Sequence, residues 1–265
     1  MAFFTTNDGA SLHYEVYGTG TPLIMLHGYG ASAKAFDQNV PALSQKYQVI
    51  TLDQRGHGDS ENVSYGYHME RLSKDVEELI ELLGLEDVVL LGWSMGCSVI
   101  WGYWDLFRGK HLSKLILFDE AGLNLIQDDN PYGFVDYQGL RELAKDIACN
   151  RSKMEDKLFD GCFYEETAKA RFLPQMVSEG NKFPSKEAAL LLLHHCYTDW
   201  RDVIPTITLP TLIIGSTKLG MVKPQANQWN HEHIPNSKIV FVQGAHGSHM
   251  EYPDEFNQVV MDFIG

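Results

Sequence analysis

The sequence predicts an α/β fold, in which helices cover both faces of a mostly parallel sheet. Short apolar runs alternate with helical patterns over the first 120 residues, and the alternation resumes after residue 205. Such alternation is typical of a parallel sheet covered by helices. Between the two alternating parts, about 80 residues contain helical patterns and no convincing strand. This block predicts an inserted helical cap, an element that excludes water and shapes a pocket.

The predicted strands of the sheet are mainly continuous apolar runs. A strand that lies between two layers of helices is buried on both faces, so its sequence shows no polar alternation. One further strand, residues 12–17 ahead of Gly18, is predicted to pair antiparallel with the others. The continuous runs lie at residues 22–27, 47–53, 88–92, 114–118, 210–215 and 238–242.

Helices are predicted where apolar residues recur at every third or fourth position. The segment 68–84 follows this pattern most clearly, as an amphipathic helix does. Ser185 is expected to cap the helix that follows it, because a serine hydroxyl can accept a hydrogen bond from an unpaired backbone N–H. The other predicted helices span residues 31–45, 94–107, 137–148, 186–200, 224–233 and 253–263.

The charge and the hydropathy pattern argue against two classes of partner. The chain of 265 residues contains 21 Lys and Arg against 35 Asp and Glu, which gives a net charge of −14. Nucleic acids and anionic membranes bind clustered basic residues, so neither is an expected partner. No apolar run approaches the ~20 residues that a transmembrane helix needs. We therefore expect a globular protein with an acidic surface.

The N-terminal segment and the cysteines predict a cytoplasmic location. The first 18 residues contain no basic segment followed by an apolar stretch, so no secretory signal peptide is expected. The four cysteines lie far apart with no Cys-x-x-Cys pair, which fits thiols that stay reduced in the cytosol. They are Cys97, Cys149, Cys162 and Cys196.

A Gly-x-Ser-x-Gly motif occupies residues 92–96, between a predicted strand and a predicted helix. In this context the serine, Ser94, lies on a strained turn, and the small flanking residues permit a close approach of the backbone. The turn lifts the hydroxyl above the sheet and directs the helix N-terminus at the oxyanion that forms during attack on a carbonyl. The motif therefore predicts Ser94 as a nucleophile.

Three further segments make the chain resemble the α/β-hydrolase family along its full length. They are His-Gly-Tyr-Gly at residues 27–30, Asp-Gln-Arg-Gly-His-Gly-Asp-Ser at 53–60 and Ala-His-Gly-Ser-His-Met-Glu-Tyr-Pro at 245–253, where alanine replaces the family's glycine. The resemblance implies an eight-stranded, mostly parallel sheet with flanking helices. It divides the chain into a core of residues 1–121 and 205–265 and a helical cap of residues 122–204, inserted after the sixth strand.

The resemblance also implies roles for individual residues. Ser94 is the expected nucleophile, and His246 is the expected general base. The backbone N–H groups of Tyr29 and Met95 are expected to form the oxyanion hole. The Ser-Met-Gly sequence of the motif is most similar to that of small esterases, cofactor-free haloperoxidases or perhydrolases, and related lactonases.

Aromatic residues near the motif and at the start of the cap are the expected pocket walls. Trp93, Tyr132 and Phe134 are the candidates, because loops at these places supply such walls in the family. No cofactor or metal is expected, since the hydrolytic mechanism needs none. The adjacent histidines His194 and His195 do not share a helix face, as two ligands of one metal ion would.

The acid of a catalytic triad is not at its usual position in this sequence. Most of the family carries it after the strand that corresponds to residues 210–215, but Lys218 stands there, and residues 203–231 contain no Asp or Glu. The preceding strand ends at Asp119 and Glu120, and some branches, including certain haloalkane dehalogenases, place the acid there. Asp119, the first residue beyond the strand, is the preferred candidate. Glu120 is the alternative, and a Ser94–His246 pair without an acid remains a third.

These features favour a serine hydrolase that cleaves a small carboxylic ester or lactone through an acyl-enzyme. A perhydrolase and a carbon–carbon bond hydrolase are alternatives on the same site. A different class is a small-molecule receptor or signalling protein of this fold, with weak hydrolysis, which the vacant acid position keeps open. The family resemblance also allows a homodimer formed through exposed cap helices.

Overall fold

Eight strands form one sheet in the computed structural model, which describes residues 2–218 and 220–265 except for the side chains of residues 150–157. Their order is β1-β2-β4-β3-β5-β6-β7-β8. The strands β1 and β2 pair antiparallel, and β3 to β8 run parallel. The strands are β1 (Ala2–Thr5), β2 (Ser11–Tyr17), β3 (Thr21–Leu26), β4 (Tyr47–Leu52), β5 (Val88–Trp93), β6 (Leu112–Phe118), β7 (Thr211–Ser216) and β8 (Ser237–Val242).

Helices flank this sheet and connect its parallel strands. Those of the described chain are α1 (Val40–Leu43), α2 (Met69–Leu83), α3 (Met95–Phe107), α4 (Tyr137–Asp160), α5 (Glu166–Gly180), α6 (Ser185–Tyr197), α7 (Pro224–His233), α8 (Ser248–Glu251) and α9 (Pro253–Ile264). The predicted α/β class and the mostly parallel eight-stranded sheet are confirmed. The first strand, β1, is the one for which the sequence pattern produced no separate prediction.

The prediction of one helix over residues 31–45 is wrong. The segment contains a 3₁₀ turn at Ala33–Phe36, capped by the Ser32 side chain, and then the single turn α1. Pro41 explains the break. Inside a continuous helix its ring would collide with the carbonyl four residues earlier, and it has no N–H to donate, whereas in the first turn of a new helix neither matters.

Ser185 is not the N-cap of α6. The helix begins at Ser185 itself, so the capping position falls on Pro184, and no side chain caps this end. The serine hydroxyl therefore sits within the first turn, one residue beyond the position from which it could bond the free N–H groups.

Both faces of the parallel strands β3 to β7 are mostly buried, which accounts for their continuous apolar sequences. Leu90 of β5 packs in one apolar cluster with residues of α2 and α3, whereas its neighbour Leu91 packs in a second cluster with residues of α9. Ile24 and Met25 of β3 divide between the same two clusters. Successive side chains point to opposite faces of a sheet, so neighbouring residues of these inner strands meet the helix layers on its two sides.

The carboxyl ends of the parallel strands lie at one edge of the sheet. The chain leaves this edge at the end of β6 and forms three helices before it enters β7. These helices are α4, α5 and α6, and α4 packs against both of the others. Ligands of parallel α/β sheets bind at the carboxyl edge. The division into a core and a cap at residues 121 and 205 stays a prediction.

No helix in the described part of the chain combines the length and the apolar character that crossing a membrane requires.

A buried ion pair fixes the turn after β4 to helix α2. Arg55 of this turn is fully buried, and its guanidinium donates to the two carboxylate oxygens of Asp75 at 3.1 and 2.9 Å. A third hydrogen bond, of 2.9 Å, reaches Asp8. A bidentate pair of this kind orients both groups, so the turn that precedes α2 is held against the helix.

We expect the Asp75→Ala variant to lose about 3–5 kcal/mol of unfolding free energy, because it leaves a buried guanidinium without its main partner. Asp105→Ala is the matched control. It removes the partner of Arg108 in an exposed pair 3.3 Å apart and should change the unfolding free energy by less than about 1 kcal/mol. Urea denaturation followed by tryptophan fluorescence measures both. Equal losses in the two variants would contradict the structural role of the buried pair.

Candidate active site

Ser94 lies at the sharp turn between β5 and α3. Its backbone has φ 54° and ψ −126°, a conformation that non-glycine residues rarely adopt. The Ser94 N–H donates to the Phe118 carbonyl of the neighbouring strand β6 at 2.9 Å, and the Ser94 carbonyl accepts the Cys97 N–H at 2.7 Å. These bonds hold the strained residue between the strand and the helix. The predicted strand–turn–helix setting of the motif is therefore present.

The two glycines of the motif are needed for close packing of backbone. A Cβ atom at Gly92 would lie 2.5 Å from the backbone of Gly96, and one at Gly96 would collide with the carbonyl of Leu26. A third close approach brings another loop to the serine, since a Cβ at Gly28 would lie 3.0 Å from the Ser94 Cβ. The turn therefore accepts no side chain at these three positions without displacement of its neighbours.

His246 is the residue that the turn after β8 brings to the same edge of the sheet. Its Nδ1 lies 2.8 Å from Oδ2 of Asp119, and both side chains are almost fully buried. A carboxylate can only accept, so Nδ1 carries the proton and Nε2 is left as the basic nitrogen. His246 and Ser94 line one cavity. The main chain of His246 is held as well, since its carbonyl accepts the indole N–H of Trp93 at 2.8 Å.

The Asp119 carboxylate is held by residues of β7 and α7. The Asn227 side chain donates to its Oδ1 at 2.8 Å, and the Ser216 N–H donates to the same oxygen at 3.4 Å. The Ser216 hydroxyl lies 3.3 Å from Oδ2 and 2.7 Å from the carbonyl of Ala245, the residue before His246. Asp119 itself has a φ of 56°. The carboxylate that meets the histidine therefore has a rigid environment.

The other two candidate positions for the acid face elsewhere. Glu120 accepts the Ala121 N–H at 2.8 Å, and its second oxygen lies 3.4 Å from Nε2 of His195. Lys218, at the usual acid position, places its ammonium 4.6 Å from the centre of the Tyr164 ring. Of the neighbouring pair Asp119 and Glu120, the aspartate is thus the one that hydrogen-bonds His246.

The cavity at this site has about 550 Å³ of atom-free space, its mouth included. Its wall combines the turn of Ser94, the loop after β3, and residues from the helices between β6 and β7. The lining residues are Gly28, Tyr29, Trp93, Ser94, Glu120, Asn124, Phe134, Leu158, Phe159, Cys162, Leu192, His195, Cys196, Met221, Val222 and His246. Most of these side chains are apolar, so the cavity suits a ligand with an apolar portion.

Two of the three predicted pocket aromatics, Trp93 and Phe134, line this cavity, whereas Tyr132 does not. The Tyr132 side chain is partly exposed and lines a small separate depression beside Trp229. The reason is local. Tyr132 lies in the turns at residues 128–132, between bridges that join Leu125 to Val135 and Gln127 to Asn130. Tyr132 is therefore corrected to a residue outside the cavity.

The predicted oxyanion-hole residues lie on two sides of Ser94. Met95 is the first residue of α3, where backbone N–H groups have no intrahelical acceptor. Tyr29 follows the closely packed Gly28 and lines the cavity, and its hydroxyl donates to the Ala188 carbonyl of α6 at 2.9 Å. The loop after β3 is thereby tied to the helices above it. The role of the two N–H groups stays a prediction.

The fold and the site can be compared with known proteins. A model of the alpha/beta hydrolase fold matches residues 21–253 of the chain. The chain belongs to the alpha/beta hydrolase fold family. The family resemblance and the fold class predicted from the motifs are thereby confirmed.

The relatives of this alpha/beta hydrolase have full-length similarity to it. A non-heme haloperoxidase from Rhodococcus erythropolis is 28% identical, and the alignment covers 100% of this chain and 99% of that protein. Among solved structures, a bromoperoxidase from Bacillus anthracis has a TM-score of 0.93 at 26% identity and 99% coverage of both chains. An esterase from Exiguobacterium antarcticum has a TM-score of 0.91 at 27% identity, with 99% of this chain and 98% of that chain covered.

Two histidines of the family motifs organise loops of this alpha/beta hydrolase. The Gln54 N–H donates to Nε2 of His27, and the Gly30 N–H donates to Nε2 of His57, each at 3.1 Å. Burial lowers the pKa of His27. A neutral imidazole can accept such a bond while its other nitrogen donates, which suits these buried positions.

Three groups of side chains in the described part of the chain could hold a metal ion, and none of them includes a residue of the cavity wall. They are His68, Glu70 and His194; His13, Asp53 and Asp59; and Glu77, Glu81 and His111.

Sequence reasoning missed four polar residues of the site. Asn227 and Ser216 hold Asp119, and Asn124 and His195 line the cavity. Asn227 lies in α7, just beyond the vacant acid position, and a search for donors to Asp119 could have named it. His195 was considered only with His194 as a metal ligand. The structure separates the two, since His194 faces the start of α2 and His195 faces the cavity.

His249 is a buried histidine three residues beyond His246. It is fully buried among the rings of Phe36, Trp93 and Phe118. Burial, and then the neighbouring His246, lowers the pKa of His249 to about 3. Its ordinary value, 6.5, applies to the unfolded chain, so between these two values the unfolded chain binds a proton that the native protein does not.

The unfolding free energy should therefore fall as the pH decreases below 6.5. One pH unit corresponds to about 1.4 kcal/mol, so His249 should account for a loss of about 2 kcal/mol between pH 7 and pH 5. The His249→Phe variant removes the titrating group and keeps a ring at this position. Urea denaturation at both pH values is the measurement, and the variant should lose about 2 kcal/mol less than the wild type. Parallel pH profiles would contradict this assignment.

Proposed function

We propose that this alpha/beta hydrolase is a serine hydrolase that cleaves a small carboxylic ester or lactone through an acyl-enzyme. The observation that supports this most strongly is the 2.8 Å hydrogen bond between Asp119 and His246. It supplies the acid whose usual position is vacant. Ser94, on its strained turn, lines the same cavity as His246. The esterase and haloperoxidase names among the relatives agree with this chemistry.

The proposed reaction begins with proton transfer from the Ser94 hydroxyl to Nε2 of His246. The serine oxygen attacks the ester carbonyl, and Asp119 stabilises the imidazolium that forms. The N–H groups of Met95 and Tyr29 are proposed to bind the oxyanion. Collapse of the tetrahedral intermediate transfers the proton to the leaving alcohol and leaves the acyl group on Ser94.

Water completes the cycle in the second half of the reaction. His246 takes a proton from water, the hydroxide attacks the acyl carbon, and the Ser94 oxygen leaves with the proton from His246. For a lactone, the alcohol and the acid belong to one product molecule. The N–H tautomer that Asp119 imposes keeps Nε2 unprotonated at the start of both halves. The cytoplasmic location and the homodimer stay predictions.

We expect Ser94→Ala to abolish turnover of p-nitrophenyl acetate, butyrate and octanoate, and Asp119→Asn to lower kcat by about 10⁴-fold. The decrease in kcat for Glu120→Gln should be at least a hundredfold smaller than the decrease for Asp119→Asn, because Glu120 makes no hydrogen bond to His246. Release of p-nitrophenol over many turnovers is the measurement. Thermal unfolding of each variant controls for misfolding.

The same assay separates an enzyme from a receptor. A hydrolase with an intact acid releases many equivalents of p-nitrophenol from a fitting ester. A receptor of this fold would release about one equivalent slowly, or none, and gain thermal stability from its ligand. A single slow burst from the wild type on every ester would overturn the proposal that this chain is an esterase.

Perhydrolysis is a second candidate activity, and the haloperoxidase relatives favour it. Hydrogen peroxide in place of water would attack the acyl-Ser94 carbonyl, give a peracid, and return the serine hydroxyl. The peracid then oxidises bromide in solution. We expect an acetate ester with peroxide and bromide to brominate monochlorodimedone, and Ser94→Ala to bring the rate to background. Bromination that persists in Ser94→Ala would rule out the acyl-enzyme route.

A further inference from the structure

A second polar cluster lies in the wall of the cavity, apart from Ser94, His246 and Asp119. Glu120, the second residue after β6, is 2% exposed, and His195 of α6 is 6% exposed. Their side chains lie 3.4 Å apart, from Glu120 Oε2 to His195 Nε2, and Asn124 Nδ2 lies 3.3 Å from the same histidine nitrogen. All three residues line the cavity that contains the serine.

The Glu120 carboxylate keeps hydrogen-bonding capacity that the described part of the protein does not use. One oxygen, Oε1, accepts the Ala121 N–H at 2.8 Å, while Oε2 has no hydrogen bond, and neither does Nδ1 of His195. Buried polar atoms almost always have partners, and an unpaired buried carboxylate oxygen is costly. Such an atom in a cavity wall is what a ligand with a donor group would satisfy.

The glutamate is ionised at neutral pH. Burial acts to raise its pKa, but the neighbouring His195 and the Ala121 N–H outweigh burial and leave the pKa below its ordinary value. The cavity wall contains no lysine or arginine among the described residues. A group that pairs with Glu120 therefore has to donate a hydrogen bond, and a second carboxylate would be repelled.

The surroundings of the cluster are apolar. Phe159 of α4, Leu192 of α6 and Val222 lie in the same wall, together with Phe134. A polar group set in an apolar wall orients a ligand, because a donor placed against the apolar part of the wall would be left without a partner.

We propose that Glu120, with His195 and Asn124 beside it, forms a subsite for a hydrogen-bond donor on the substrate, a hydroxyl or an ammonium group carried on an apolar chain. The inference rests on the proposed ester hydrolysis and names the substrate class. Glu120 is the acceptor, and His195 orients its free oxygen. A site built to hydrogen-bond a substrate group rejects the analogue that lacks it, because its own polar atoms are then left unpaired.

The test compares esters that differ only at the end of the chain. Methyl esters of pentanoic to octanoic acids are assayed in a pH-stat as the unsubstituted, ω-hydroxy, ω-amino and ω-carboxy compounds. Acetate monoesters of the matching diols probe the alcohol side in the same way. We expect kcat/KM for the hydroxy or the amino ester to exceed that of the unsubstituted ester by at least tenfold at one chain length, mainly through KM, and the carboxy ester to be the poorest substrate.

Two variants locate the preference. Glu120→Met, of similar length without oxygens, should reduce the ratio of donor to unsubstituted ester to about one, and Glu120→Gln should reduce it more for the amino ester than for the hydroxy ester. Leu192→Ala, in the same wall, is the control. It enlarges the cavity and keeps the carboxylate, so the ratio should stay within about threefold of the wild-type ratio.

The outcomes separate this inference from the proposed function. If no ester in either series or the p-nitrophenyl series turns over, ester hydrolysis itself fails. If unsubstituted esters turn over and the wild type shows no preference for a donor in either series, the subsite is refuted without recourse to a variant. If Glu120→Met lowers every ester alike by orders of magnitude, Glu120 acts on the chemistry and the subsite is equally refuted. A preference for the hydroxy over the amino ester, or the reverse, identifies the donor.

Discussion

The buried hydrogen bond between Asp119 and His246 is the contact on which the arrangement of the site depends. It joins the end of β6 to the turn after β8, strands that are separated in the sheet by β7. Two buried polar groups at this distance stabilise each other only while both stay in place. Ser216 and Asn227 hold the carboxylate, and they belong to β7 and α7, the elements that lie between β6 and β8 in the chain. The whole edge of the sheet, rather than one loop, therefore fixes the imidazole in the cavity that Ser94 also lines.

A parallel sheet makes this alignment possible, because it brings the carboxyl ends of its strands to one edge. Ser94 follows β5 and Asp119 follows β6, and the Ser94 N–H bonds the last carbonyl of β6. Both residues have a positive φ. A strained backbone persists only where its surroundings determine it fully, and at these two positions the surroundings are buried strands. From these positions Ser94 lines the cavity, and Asp119 bonds His246, which lines it as well.

Much of this organisation could be predicted from the sequence, because it depends on local patterns. Apolar runs identified six of the strands, a seventh was predicted as an antiparallel strand ahead of Gly18, and a motif between a strand and a helix identified Ser94. The vacant position at Lys218 directed attention to Asp119. The remainder depends on packing between distant segments. His195 and Asn124 meet only through the placement of α6 over the sheet, and no pattern within either segment indicates it. Tyr132 was misplaced because it lies on a local turn, whereas the helix break at Pro41 has a signal in the sequence itself.

The position of the acid after β6 also bears on how this protein could change. The segment that follows β7 contributes Met221 and Val222 to the cavity wall, and no group of its described residues bonds His246. In a relative with the acid at this place, every insertion or deletion in the loop would displace the carboxylate. Here the loop can vary in length and sequence while the imidazole keeps its partner. It is therefore a permissive site for evolving or engineering new ligand preferences while the contact between Asp119 and His246 is kept.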